Sequence, residues 1–402
     1  MCVCAACTAG RMKIVIHKLL SATLVLGVLG TFFTLLLWIV YSDNERSPRG
    51  PVQGQKSSAA DPSDCISCSE TIIKRAMERY SQNWRRQENN YKKFRALLSN
   101  KCHGASKAIV TQANTPVGSK VTFDGEKRKP LQVTQALFSV FPKESPFGNK
   151  TWETCSVVGN GGILTNSSCG QSIDSSQFVI RCNLPPVEGV YTRDVGNKTD
   201  LVTSNPSILH EKWAGLMERR RPFVEGVRPY GSAMILLPAF SYSHNTAVSL
   251  RATYTLEDFH SPARPVFLSP EYLTSLARFW RSQGMPAVRL STGLIVTSLA
   301  LELCSNVHLY GFWPFSTHPH GSHQTLTNHY YDNRESKKKI HAMPLEFEHL
   351  LRLHKQGVLR VHIGQCPLPP SHGFSSLPAS TTPSPPVTVA GAPIRQHREL
   401  HR

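Results

Sequence analysis

Residues 156–162 read Ser-Val-Val-Gly-Asn-Gly-Gly, and residues 178–183 read Phe-Val-Ile-Arg-Cys-Asn. A β-branched run entering a glycine-rich turn, with a second apolar run shortly after, is how strands linked by crossovers begin. Further out, residues 233–240 (Ala-Met-Ile-Leu-Leu-Pro-Ala-Phe) and 307–312 (Val-His-Leu-Tyr-Gly-Phe) are candidate strands, while 272–283 and 291–304 have helical length and spacing. Strands alternating with helices predict an α/β domain with a largely parallel sheet. In such open sheets, ligands sit at the carboxyl ends of strands near a topological switch point.

The turn Gly159-Asn160-Gly161-Gly162 is therefore the first candidate for chemistry. Glycines let the backbone approach a phosphate, and a following helix N-terminus adds favourable polarity. Leu164 occupies the place of the third glycine of G-x-G-x-x-G, and no G-x-x-x-x-G-K-[ST] occurs, so dinucleotide and Walker readings fail. Taken alone, the turn fits a tight structural bend as well as a nucleotide site. Asp-x-Asp is absent, which disfavours a transferase holding a divalent metal between that motif and a nucleotide diphosphate. Gly-x-Ser-x-Gly is absent too, against an α/β-hydrolase.

The 402 residues carry 45 Lys+Arg against 27 Asp+Glu, a net charge of +18, and 40% are apolar, enough to build a core. That balance raises a nucleic-acid reading, which topology removes. Residues 19–41 run without a formal charge; at 1.5 Å per residue they reach roughly 34 Å, enough to cross a hydrocarbon core of about 30 Å. Arg11, Lys13 and Lys18 precede the run, so the N-terminus is expected in the cytosol and the rest of the chain on the far side. A cleaved signal peptide fits less well, because its apolar region is shorter and no small-x-small site follows. No nucleic-acid partner is expected there. Between residues 151 and 366 the count is 20 Lys+Arg against 16 Asp+Glu, so most of the excess charge lies outside the motif-bearing region.

Cysteine usage agrees with an oxidising compartment. Cys2, Cys4 and Cys7 precede the anchor, and the other eight (65, 68, 102, 155, 169, 182, 304 and 366) follow it. Cys65-Ile-Ser-Cys68 has redox or zinc spacing, but nothing completes a tetrahedral site, and a stem disulfide or intermolecular bridge reads better. Sequons at Asn149, Asn166 and Asn197 suit glycosylation.

The expected organisation is a cytoplasmic tail (1–18), a signal-anchor helix (19–41), a stem (42–98), a lumenal catalytic domain (99–366) and a Pro/Ser/Thr-rich tail (367–402). Within the stem, Ile73, Met77, Tyr80, Trp84, Tyr91, Phe94 and Leu98 recur at helical spacing, predicting one amphipathic helix over 70–98 with Arg85, Arg86, Lys92 and Lys93 on its wet side. Histidines gather late, in Asn328-His329-Tyr330-Tyr331-Asp332 and His341-Ala-Met-Pro-Leu-Glu346. An imidazole near neutral pKa is the natural general base for a sugar hydroxyl.

These residues together resemble the animal sialyltransferases, specifically the α-2,8 branch. The large sialyl motif is matched by Cys155-Ser-Val-Val-Gly-Asn-Gly-Gly-Ile-Leu-Thr-Asn-Ser-Ser-Cys169-Gly, continuing through Arg181-Cys-Asn-Leu-Pro-Pro186 to Asn205-Pro-Ser207. The small motif is matched by Arg289-Leu-Ser-Thr-Gly-Leu294 through Cys304 to Tyr310-Gly-Phe-Trp-Pro-Phe315. The third and very small motifs are matched by His329-Tyr-Tyr-Asp332 and His341-x₄-Glu346. The resemblance covers roughly residues 92–366.

It implies a variant Rossmann-like nucleotide-binding fold (a GT-A-like variant), a CMP-sialic acid donor, inversion at the anomeric carbon, and neither metal nor cofactor. Carried over residue by residue, Asn160 and Asn183 would hold the cytidine and phosphate side of the donor, and Ser291, Thr292, Gly293 and Trp313 would line the same pocket. His329 would meet the phosphate, His341 would be the base, and Glu346 would support. The resemblance also suggests Cys155–Cys304 and Cys169–Cys366 disulfides. It implies a single-pass Golgi membrane enzyme with sialylated glycolipid or glycoprotein acceptors, and a homodimer through stem or anchor is compatible with it. The stretches 114–119, 236–240 and 310–315 look most like members that add one or a few sialic acids. Polysialyltransferases carry a denser basic segment than Arg264, Arg278, Arg281 and Arg289 provide here. A catalytically idle sialoglycan-binding protein of the same fold is the reading from another class; intact Asn160, Asn183, His329 and His341 speak against it.

Overall fold

The computed structural model describes residues 26–27, 29–31, 33–34, 73–78, 80, 84–148, 150–285, 289–319, 321–333 and 343–367, with the side chains of 321–324 excepted. Two units divide the chain at Cys65 and Ile66. In the first, the described residues between 26 and 34 are helical, and no described helix is long and apolar enough to cross a membrane.

The second unit is built on a seven-stranded sheet. Its strands are β1 (Trp152–Val158), β2 (Phe178–Arg181), β3 (Leu201–Thr203), β4 (Met234–Leu237), β5 (Arg264–Phe267), β6 (Cys304–Tyr310) and β7 (Arg360–His362). All pairings are parallel, in the order β7-β6-β1-β2-β3-β4-β5. The main helices are α1 (Glu88–Cys102), α2 (Pro206–Trp213), α3 (Ser243–Asp258), α4 (Pro270–Ser282), α5 (Thr292–Leu303) and α6 (Met343–Lys355).

Strand periodicity sorts the core into layers. Val157, Ile180, Leu201 and Leu236 face one cluster, shared with Leu98 of α1, Trp280 of α4, Leu301 of α5 and Leu350 of α6. Val202, Ile235, Leu237 and Phe267 face the other side, against Leu209 of α2 and Val248 of α3, while Val158 and Val179 pack on Ile173. Burial on both faces explains why β4 reads as unbroken Met-Ile-Leu-Leu. Arg181 ends β2 fully buried; its guanidinium donates to the carbonyls of Val195 and Lys198 and lies 3.5 Å from Asp174, tying the 192–200 loop to the sheet.

The single amphipathic helix expected over 70–98 is interrupted. Described residues 73–78 and 80 are helical, 84–87 have no regular structure with Gln87 extended, and α1 begins at Glu88. The break is made by bonds across the sheet edge: Trp84 Nε1 donates to Leu359 O (3.0 Å) and the Gln87 amide to Gly357 O (3.0 Å). Arg86, expected on the wet side, donates to Ser305 O and Asn306 Oδ1 and stands over the Tyr91 ring. Tyr91 and Leu98 are buried in the core, so α1 crosses the 98/99 boundary expected from sequence.

Beneath this edge lies a histidine cluster. His308 Nδ1 is 2.9 Å from His362 Nε2, His362 stacks on Tyr310, and His354 Nδ1 accepts from the Val361 amide with its ring against Tyr80 and Trp84. Burial, aided by Arg360, pushes His308 and His354 down to about 4 and His362 well below its usual value; Arg86 adds to the effect on His308. These imidazoles stay neutral in the fold while the unfolded chain takes up protons near pH 6.5. Their contribution is thus complete above that pH and is lost as pH falls from 6.5 towards 4. We expect the urea midpoint to fall over that window, as the unfolding free energy drops with a slope on the order of 1.4 kcal/mol per pH unit for each proton. A midpoint that stayed level between pH 7 and 4.5 would contradict the cluster's neutrality.

Candidate active site

The chain steps outward from β1 to β5 and then returns, through α4 and α5, to lay β6 on the other side of β1. The switch point therefore lies between the carboxyl ends of β1 and β6, where the turns Gly159-Asn160-Gly161 and Gly311-Phe312-Trp313 meet. The Gly159 amide donates to Tyr310 O (2.8 Å) and the Gly161 amide to Gly311 O (3.1 Å). A β-carbon on Gly161 would stand 2.6 Å from Gly311 O, and one on Gly162 2.1 Å from Thr327 O. The glycines are thus required by backbone approaching backbone, which narrows the mouth between the two strands.

The 327–333 turn is laid over this junction. Gly161 and His329 form an isolated antiparallel bridge, the Tyr330 amide donates to Asn160 O (2.9 Å), and Asn160 Nδ2 donates to Cys182 O (2.8 Å) and reaches Tyr331 Oη (3.4 Å). Asn160 Oδ1 is buried without a hydrogen-bond partner. An orphaned buried acceptor is costly in isolation and is what a ligand donor would satisfy. His329 Nδ1 lies 2.7 Å from Asp332 Oδ1, and its ring stacks on Tyr331. A carboxylate on Nδ1 orients the ring and leaves Nε2 as the atom for an anionic ligand.

Asn183 follows β2 with φ 64°, and Leu184 with φ 48°. Left-handed backbone at two successive non-glycine residues is strain of the kind that collects at functional sites. Here it is held by the Asn183 amide donating to Thr203 Oγ1 (2.9 Å) and by Asn183 Oδ1 accepting from the Asn205 amide (3.0 Å). Asn205 Nδ2 in turn donates to Thr292 Oγ1 (3.3 Å). Asn183, Asn205 and the start of α5 thus form one connected arc.

Ser291 caps α5, accepting from the Leu294 amide, while its own amide and hydroxyl donate to Glu346 in the first turn of α6. Glu346 is buried and holds the α5 N-terminus through these bonds. Gly293 lies under Phe312, where a β-carbon would be 2.9 Å from the ring. Trp313 points its indole into the core, between Phe315 and Phe347 with Nε1 donating to Thr317 O, and its backbone lies beside Gly161.

Asn160, Asn183, Ser291, Thr292, Gly293, Trp313, His329 and Glu346 are thus gathered around one strand-end junction. His341 and the sequon Asn149 lie outside the described residues, as do Cys65 and Cys68. The sequon residues Asn166 and Asn197 are described, and their backbone amides donate to Asp194 and Asp174. Cys155–Cys304 and Cys169–Cys366 are disulfide-bonded; Cys102 and Cys182 are buried free thiols. The sequence does not mark Asp332, Tyr331, Thr203 or Asn205 as site residues, and its one hint is the aspartate closing His-Tyr-Tyr-Asp. A shallow depression of about 640 Å³ lies alongside the Cys169–Cys366 bridge, and none of the gathered residues lines it.

The family model of glycosyltransferase family 29 (sialyltransferase) matches residues 109–358. The human protein named alpha-2,8-sialyltransferase 8F is 46% identical over 283 residues, covering 70% of this chain and 71% of that one. The mouse alpha-2,8-sialyltransferase 8E is 48% identical over 273 residues, covering 68% and 66%. The Xenopus tropicalis alpha-N-acetylneuraminide alpha-2,8-sialyltransferase is 44% identical over 292 residues, covering 73% and 84%. With the strand-end junction, its orphaned acceptor and its histidine turn in place, the chain belongs to glycosyltransferase family 29, the sialyltransferases.

Proposed function

We propose that this sialyltransferase moves sialic acid from CMP-sialic acid, with inversion, to the 8-hydroxyl of a terminal sialic acid on a glycolipid, O-glycan or other glycoprotein acceptor. The observation that carries the donor half is the polar arc at the switch point, where Asn160 keeps a buried acceptor unfilled and Asn183 is held in a strained turn. The acceptor half rests on the likeness to enzymes named for α-2,8 transfer.

In this reading CMP lies across the carboxyl ends of β1 and β2, with Asn160 and Asn183 as its polar contacts. His329, oriented by Asp332, meets the phosphate and stabilises the charge that develops as CMP leaves. His341 removes the proton from the acceptor hydroxyl, and Glu346 keeps the α5 N-terminus in place. Only one phosphate departs, so histidine and backbone donors suffice for the leaving group. Transfer is therefore expected to proceed at full rate in EDTA; a loss there, restored by added metal, would overturn this account of the leaving group. Residues 19–41 would anchor the enzyme in the Golgi membrane with the catalytic domain lumenal. The deciding experiment incubates the full-length protein with CMP-sialic acid and sialylated glycolipids, O-glycans and N-glycans, with linkage analysis of the products. No transfer to any of these would sink the reading.

A further inference from the structure

Buried polar atoms lacking a hydrogen-bond partner do not end at Asn160. Ser204 Oγ, directly after β3, is another on the same carboxyl-end rim, and next along it Ser241 after β4 faces Asp124 of the loop laid over it. That loop is pinned beside Asp124, with the Gly125 amide donating to Ser241 O (2.8 Å) and Glu126 accepting from the Ser243 amide. Asp124 is raised above the usual carboxylate range by burial, with the Ser241 hydroxyl and Arg289 opposing the shift. Beside it, the Arg289 guanidinium stands 4.8 Å over the Tyr242 ring, and Tyr242 stacks with His244. Lys127, Arg128 and Lys129 follow in the same loop and are exposed.

This patch is outside the donor arc but next to it. Arg289 precedes Ser291 by two residues, and Ser204 precedes Asn205, whose amide binds Asn183. The rim thus runs from the donor residues over β3 and β4 into a patch combining one guanidinium fork, two stacked rings, hydroxyl and carboxyl oxygens, and exposed cations. A carboxylate is matched by the guanidinium, sugar C–H faces by the rings, and sugar hydroxyls by the oxygens. We propose that this rim is the acceptor subsite, with Arg289 receiving the carboxylate of the terminal sialic acid to be extended and Tyr242, Ser241 and Asp124 bordering its ring. The proposal rests on the α-2,8 reading and adds the residues that recognise the acceptor.

The test measures steady-state kinetics of full-length wild type, Arg289→Gln and Arg289→Lys. It uses CMP-sialic acid with a sialyl-lactose acceptor and with the same acceptor whose carboxyl is converted to the amide. Arg289→Gln should raise the KM for the carboxylate acceptor about tenfold or more, leaving CMP affinity and donor KM within about twofold. Arg289→Lys, which keeps the charge but not the fork, should fall between. The amidated acceptor should already be poor for wild type and should lose little more in Arg289→Gln. Equal losses on both acceptors, or a matching rise in donor KM, would overturn the subsite and mark Arg289 as structural. A wild type that sialylates galactose-terminated but not sialic-acid-terminated acceptors would overturn the α-2,8 reading, and this subsite with it. Loss of CMP binding in both variants would likewise assign Arg289 to the donor side.

Discussion

His341→Ala is expected to abolish sialyl transfer, with a loss of about 10²–10⁴-fold in kcat/KM, while the affinity for CMP is kept. A direct displacement at the anomeric carbon needs one base for the acceptor hydroxyl. An alcohol is far too weak an acid to ionise by itself near neutral pH, whereas an unperturbed imidazole is half-deprotonated near pH 6.5. The contacts assigned to CMP involve Asn160, Asn183 and His329, which this substitution leaves in place. Glu346, five residues later in the same motif, is tied to Ser291 instead, so its loss should act through the donor cradle. The two substitutions should therefore separate: His341→Ala lowers kcat at constant CMP affinity, and Glu346→Ala weakens CMP binding along with turnover. Near-normal turnover in His341→Ala, measured by product formation, would remove His341 from the base role.

The second large effect concerns stability. Replacing both Cys155 and Cys304 by serine should cost about 2–5 kcal/mol, lowering Tm by roughly 10 °C for a domain of this size. Cys155 lies inside β1 and Cys304 opens β6, so the bridge staples the two strands that flank the switch point. The sequence separation is 149 residues, and closing so long a loop restrains the unfolded chain strongly. Both cysteines are fully buried, so mild reductant should leave the native bridge intact and act only once the fold opens. A double variant melting within a degree or two of wild type, followed by calorimetry, would show that β1–β6 pairing alone holds the junction.

Much of the fold is legible in the order of residues. The strands at 156–158, 178–183, 233–240 and 307–312 stand out because parallel strands covered on both faces leave unbroken apolar runs. The helices at 272–283 and 291–304 appear as α4 and α5 with ends shifted by only a few residues. Strands β3, β5 and β7 do not stand out: each has three or four residues, too few to show a period, and β5 contains a proline tolerated at the sheet edge. Helix α3 is obscured because Thr, Ser and Asn interrupt its apolar face. The helix expected over 70–98 has a sound period but loses its middle to bonds with the β7 edge, a competition local spacing does not report.

Sequence by itself determined the family, the parallel α/β class and the disulfide partners its motifs imply, because motifs preserve the residue types that chemistry needs. Only the tertiary structure decided how they act together. It placed β6 beside β1, so turns about 150 residues apart became one junction, and it showed Glu346 tied to Ser291 at the start of α5. It also showed Asp332 and Tyr331 bracing His329 and Asn160. The physical reason is that hydrogen-bond completion and close backbone approach are properties of neighbours in space, and a linear order of residues does not state who those neighbours are.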